Sequence, residues 1–123
     1  MTTKTSRRES LATESRTVRV LLVDRHERIR DALRDNLSQC GVKVVGVATD
    51  GFEAVERART LAPDVVILDF HMPGYGALES AGAILAEMPL IRIIMLTMWD
   101  EEVYLRAATE CGAVACFPKD VPT

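Results

Sequence analysis

From Val18 onward, short apolar blocks alternate with segments in which apolar residues recur at helical spacing. That alternation predicts βαβ units in a parallel sheet. The first strand is expected over Val18 to Val23, and its nearly continuous apolar run predicts cover on both faces. A helix over His26 to Cys40 follows, with Ile29, Leu33, Leu37 and Cys40 on one face and Gly41 as its stop. The second strand is Lys43 to Ala48. The turn Asp50-Gly51 then opens a helix whose inward face is Val55, Ala58 and Leu61 and which Pro63 ends. A third strand, Val65 to Leu68, stops abruptly at Asp69 and is followed by the loop Phe70-His71-Met72-Pro73-Gly74 and a helix over Leu78 to Met88. The fourth strand, Ile91 to Leu96, ends in Thr97. Beyond Met98-Trp99, Asp100-Glu101-Glu102 favours a helix start through capping and negative charge, and that helix ends at Gly112. The fifth strand, Ala113 to Phe117, has Pro118 near its end, which suits a sheet edge.

The length of 123 residues fits one compact domain, and 48% hydrophobic residues suffice for its core. No apolar run approaches the roughly 20 residues of a membrane span. The N-terminus is basic without an apolar stretch after it, so no secretory signal is read and a cytoplasmic protein is expected. Residues 1–17, rich in Ser, Thr, Arg and Glu, are expected to be a flexible arm, and residues 18–123 the folded domain. Cys40, Cys111 and Cys116 lack the pairing of a disulfide framework or a zinc site. Residues 18–123 hold eleven basic against sixteen acidic side chains, a poor match to a phosphate backbone, so no direct nucleic-acid binding is expected.

In an open parallel sheet, ligands bind beyond the C-terminal strand ends. Those ends carry Asp24, Asp69, Thr97 and Lys119. Two carboxylates, a hydroxyl and an ammonium in one crevice suit a divalent cation and a phosphoryl group. Each residue also has a plainer reading. Asp24 alone serves equally well as a cap of the first helix, Thr97 as a strand former and Lys119 as a solvated charge. Asp69 has a weaker alternative, because a carboxylate at a buried strand end is costly without a cation or donor.

The pieces VRVLLVDRH, PDVVILDFHMPG, IRIIMLT and GAVACFPKD, in this order and spacing, resemble the receiver domain of two-component response regulators over Val18 to Lys119. The Met-Pro-Gly turn and the final Lys-Asp are most similar to receivers whose output is a LuxR-type helix-turn-helix domain. The resemblance implies a flavodoxin-like open sheet of five parallel strands in the order 2-1-3-4-5, with helices on both faces. It also implies that Asp69 takes a phosphoryl group from a sensor histidine kinase. Asp24, Asp69 and the backbone carbonyl of His71 would hold Mg²⁺, Thr97 and Lys119 would bind phosphoryl oxygens, and the rings of His26 and His71 would be bystanders. The domain would be no enzyme beyond catalysing its own Mg²⁺-dependent phosphorylation and dephosphorylation.

The chain departs from that family's pattern at several positions. Arg25 replaces the second acid of the usual pair, which removes a ligand, adds positive charge and weakens Mg²⁺ binding, or else substitutes for part of the ion's charge. Met98 crowds the approach to Asp69. Cys116 stands where an aromatic switch residue is usual, with Phe117 pointing to the opposite face. The chain stops before a fifth helix, so strands one and five are expected to leave one apolar face uncovered, open to a homodimer or another covering partner. These departures keep an alternative in view, a pseudo-receiver that acts as a phosphorylation-independent interaction module. A phosphoryl-transfer hydrolase or a nucleotide or flavin binder fits less well. Asp69-Phe70-His71 is not Asp-x-Asp, and Arg25-His26-Glu27-Arg28 offers no Gly, Ser or Thr cradle.

Overall fold

The computed structural model describes residues 17–72, 74–97 and 102–118. In chain order the elements are β1 (Arg19–Val23), α1 (Glu27–Gln39), β2 (Lys43–Ala48), α2 (Gly51–Leu61), β3 (Val65–Asp69), α3 (Ala77–Glu87), β4 (Arg92–Thr97), α4 (Glu102–Glu110) and β5 (Ala115–Pro118). All strand pairings are parallel, in the order β2-β1-β3-β4-β5. The flavodoxin-like topology expected from the sequence is therefore the one observed.

Side chains alternate across a strand, so each strand contributes every second residue to a given face. On one face Leu21 and Val23 of β1, Val66 and Leu68 of β3, and Ile93 and Met95 of β4 form the buried core with Ala54, Ala58, Ala77, Ala81, Ile84 and Ala108 of α2, α3 and α4. Alanine at the helix contacts lets these helices approach the sheet closely while the large side chains come from the strands. The inward stripe of α2 is consequently centred on Ala54 and Ala58, and the expected Val55 and Leu61 are only half-buried at its margin.

Helix α2 begins at a capping pair. The amide of Glu53 donates to Asp50 Oδ1 at 2.8 Å, while Glu53 Oε1 accepts from the amide of Thr49 at 2.7 Å. Its end comes before Pro63, with Ala62 in the left-handed region at φ 48° and its amide bonded to the Ala58 carbonyl. Two boundaries differ from the sequence expectation for a related reason. Strand β5 starts at Ala115 rather than Ala113, because the Ala113 amide is used to close α4 onto the Ala108 carbonyl around Gly112, whose φ is 103°. Cys40 does not continue the apolar face of α1; it is the exposed C-cap, its amide bonded to the Leu37 carbonyl.

The second face is covered unevenly. Helix α1 lies against β2, and Val20 and Leu22 are buried, so β1 is not left bare as expected. Cover falls away toward the other edge. Ile67, Ile94 and Leu96 are half-buried and Phe117 on β5 is 54% exposed. Cys116, its neighbour, points the other way and packs against the core.

Candidate functional site

The two strand-end carboxylates are held where the sheet's hydrogen-bond ladders run one step past the strands. Asp24 follows β1, and its own amide donates to the Ala48 carbonyl at 3.0 Å. Asp69 closes β3 opposite Leu96, and the next amide, that of Phe70, donates to the Leu96 carbonyl at 2.7 Å. Both side chains are almost fully buried, Asp24 at 2% exposure and Asp69 at 1%. Thr97, the last residue of β4, is buried beside them in sequence register, opposite Pro118.

Short turns then fold the loops back onto the carboxylates. The amide of His26 donates to Asp24 Oδ1 at 2.8 Å, and the His26 ring donates from Nδ1 to the same oxygen at 2.9 Å. The amide of His71 donates to Asp69 Oδ1 at 3.0 Å, and its ring Nε2 shares a 2.9 Å hydrogen bond with the Thr97 hydroxyl. Arg30 reaches back from α1, its Nη1 donating to the Asp24 carbonyl at 2.6 Å. The capping role open to Asp24 is not the one it takes, since His26 is the N-cap of α1 and the Asp24 side chain instead anchors His26.

Ligand atoms of Asp24, His26 and Asp69 all lie within 4.8 Å of one another. Two buried carboxylates this close form a dicarboxylate well suited to a divalent cation, and the half-exposed imidazole forms its outer wall. Arg25 is exposed, and the guanidinium that joins the network is that of Arg30. The loop after Asp69 is tied to α2 at its far side, where the Tyr75 ring stacks on the exposed Phe52 ring with centroids 4.6 Å apart.

The structure thus brings Asp24, Asp69 and Thr97, three of the four strand-end residues, together with His71. Lys119 and Met98 lie outside the described residues, as do residues 1–16 of the expected arm over 1–17, Pro73, Trp99 and the first two residues of the acidic run, 100–101. The imidazoles of His26 and His71, expected to be bystanders, are each hydrogen-bonded to a residue of the site, and Arg30, which had not been singled out, reaches the Asp24 carbonyl. Residue spacing indicates which end of a strand a side chain occupies; it does not indicate which way a loop ring turns.

Residues 20–123 match the model of the response regulator receiver domain. The chain belongs to that family. Among its relatives, this receiver is 36% identical to the response regulator GacA of Pseudomonas viridiflava over 103 residues, covering 83% of this chain and 48% of GacA. It is 41% identical to the response regulator UvrY of Escherichia coli K12 over 103 residues, covering 83% of this chain and 47% of UvrY. The chain therefore spans about half the length of the curated relatives it matches. Among solved structures, the signal receiver domain of NarL from Mycobacterium tuberculosis superposes with a TM-score of 0.78 at 33% identity, covering 86% of each chain. A LuxR-family two-component response regulator from Aurantimonas sp. SI85-9A1 gives a TM-score of 0.81 at 32% identity, covering 85% of this chain and 76% of that one.

The chain is accordingly a signalling module of two-component systems, in a family whose receiver domains are not enzymes in their own right. Nothing in the fold or in these relatives favours the pseudo-receiver alternative. Among the described residues, no helix is long and apolar enough to cross a membrane.

Proposed function

We propose that Asp69 is the phosphoacceptor of this receiver and that a sensor histidine kinase is the donor. The observation that carries the reading is the placement of Asp69 at the C-terminal end of β3, beside a second buried carboxylate and one strand away from a buried hydroxyl. An Asp69 carboxylate oxygen attacks the phosphorus of the kinase's phosphohistidine. A P–O bond forms, the P–N bond breaks, and the electron pair returns to the histidine nitrogen, which takes up a proton.

Attack by an anion on an anion needs positive charge at the reacting oxygens. Mg²⁺, when bound, supplies it, and Asp24, Asp69 and the His71 backbone carbonyl are the groups that would hold it. The donor set fits a hard dication, since two carboxylates and a carbonyl are oxygen ligands. Thr97 would hydrogen-bond a phosphoryl oxygen after exchanging its present bond to His71. Lys119 would pair with another. On this reading the only chemistry the domain promotes is its own phosphorylation and dephosphorylation, in the cytoplasm, and a second copy or another protein could cover the apolar face around Phe117.

The test is intact mass after incubation with Mg²⁺ and acetyl phosphate. A phosphate adduct is expected in the wild type and absent in Asp69→Asn. An adduct that persists in Asp69→Asn overturns the assignment, as does no adduct in the wild type with either this donor or a panel of phosphorylated histidine kinases.

A further inference from the structure

The cleft contains one donor that the oxygen-ligand description does not use. His26 Nδ1 lies 2.9 Å from Asp24 Oδ1, and both stand within 4.8 Å of an Asp69 oxygen. Two neighbouring ligands, each about 2.1 Å from one ion and at right angles, are about 3.0 Å apart. The His26–Asp24 pair already has that spacing. The two aspartates are fixed by the ladder bonds at Asp24 and Phe70, whereas the His26 side chain is 47% exposed and has room to swing. The movement needed to close the three donors around an ion therefore falls on His26. Its backbone amide, bonded to Asp24, keeps it at the site while the ring turns.

Sequence makes the position telling. Arg25, adjacent to Asp24, provides no carboxylate, and the next side chain along provides an imidazole that reaches Asp24 Oδ1. Oxygen-only sets suit Mg²⁺, which gains little from nitrogen and dehydrates reluctantly. Imidazole nitrogen is a ligand for first-row transition ions, whose affinity for such sites rises from Mn²⁺ toward Cu²⁺ and Zn²⁺.

We propose that His26 is a metal ligand of this centre and that it shifts the centre's preference from Mg²⁺ toward divalent first-row transition ions. The ring binds through Nδ1 in the tautomer that carries its proton on Nε2, and the Nδ1–Asp24 hydrogen bond is replaced by the ion shared between them. Arg25, exposed beside Asp24, supplies no oxygen ligand, and the imidazole of the following residue is the side chain that reaches Asp24. The inference rests on the reading that this cleft takes a divalent cation.

The experiment uses the full chain loaded with Mn²⁺ and measures electron spin-echo envelope modulation, with Mg²⁺ and Zn²⁺ affinities determined by calorimetry on the same samples. Nitrogen modulation from a directly bound imidazole is expected in the wild type. It should vanish in His26→Ala and His26→Gln and persist in His71→Ala. Loss of a partner that only orients a metal ligand costs about 10- to 100-fold in affinity, so loss of the ligand itself should weaken Zn²⁺ by at least about tenfold while Mg²⁺ changes less than about twofold. Four results overturn the proposal: no nitrogen modulation in the wild type, modulation that survives both His26 variants, equal loss of Mg²⁺ and Zn²⁺ in those variants, or undiminished Zn²⁺ binding in Asp69→Asn, which marks an adventitious ion only. Failure of the broader reading looks different. In that case the wild type binds no divalent cation and gains no phosphate, whereas a phosphorylated protein with no nitrogen coupling refutes the His26 assignment alone.

Discussion

Replacing Asp69 by Asn should stabilise the metal-free domain even though it removes the proposed phosphoacceptor. The two shapes are nearly identical, so packing is preserved. What changes is one of two carboxylate charges, both buried and no further apart than 4.8 Å. At an effective dielectric constant of about 20, two like charges at that distance repel by about 3.5 kcal/mol. Among the described residues, two contacts offset part of the gain. The His71 amide donates to Asp69 Oδ1 at 3.0 Å, and exchanging a charged acceptor for a neutral one costs about 1 kcal/mol. The Arg30 guanidinium, bound to the Asp24 carbonyl at 2.6 Å, already relieves some of the repulsion. The net gain is about 1–2 kcal/mol, which for a domain of this size raises Tm by roughly 3–12 °C. Differential scanning calorimetry of wild type, Asp69→Asn and Asp24→Asn in EDTA measures it directly. Mg²⁺ should then raise the wild-type Tm toward that of the variants and leave Asp69→Asn nearly unmoved. A Tm in EDTA at or below the wild-type value in both variants would refute the repulsion argument.

Other expectations concern the scaffold. Ile84→Ala removes a fully buried side chain of α3 from the main core and should cost about 2–5 kcal/mol by urea denaturation. Gly51→Ala should also destabilise, by about 1–3 kcal/mol, despite alanine's better helix propensity; its Cβ would fall on the Tyr75 carbonyl oxygen, which is backbone and cannot turn aside. The Thr49 amide, as the largest cause, holds the Glu53 carboxyl below its ordinary value. A lowered folded-state value means stability that is present above the ordinary carboxylate range and lost as pH falls through the folded value. Glu53→Gln should therefore flatten the acid limb of the stability profile, by no more than about 1 kcal/mol because the side chain is partly solvated and screened. An acid limb as steep as that of the wild type would count against this bond.

The parts of this protein that were legible in its sequence are those set by periodicity. Lys43–Ala48 emerges as a strand with the bounds its apolar pattern gives, and α1 and α3 fall within a residue of theirs at each end. The placement of the strand-end residues was equally legible, since topology alone carries Asp24, Asp69 and Thr97 to one end of the sheet. What periodicity could not reveal depends on local competition for hydrogen bonds. Ala113 leaves β5 because its amide serves the end of α4, and Asp24 does not cap α1 because its side chain is occupied with His26. The stripe of α2 moved by one residue for a steric reason, since close helix packing favours the two alanines over Val55.

The stack of Tyr75 on Phe52 has a mechanical consequence for the loop that carries His71. Among its described residues that loop is an arch held at three places: Asp69 in the sheet, Met72 buried in the core, and Tyr75 against the first turn of α2, where Gly51 admits its backbone. An arch so held resists swinging outward as a flap. The His71 ring can release the Thr97 hydroxyl by turning about its own side-chain torsions, and any larger excursion has to drag the opening turn of α2 with it, coupling the strand-end chemistry to an outer surface of the domain.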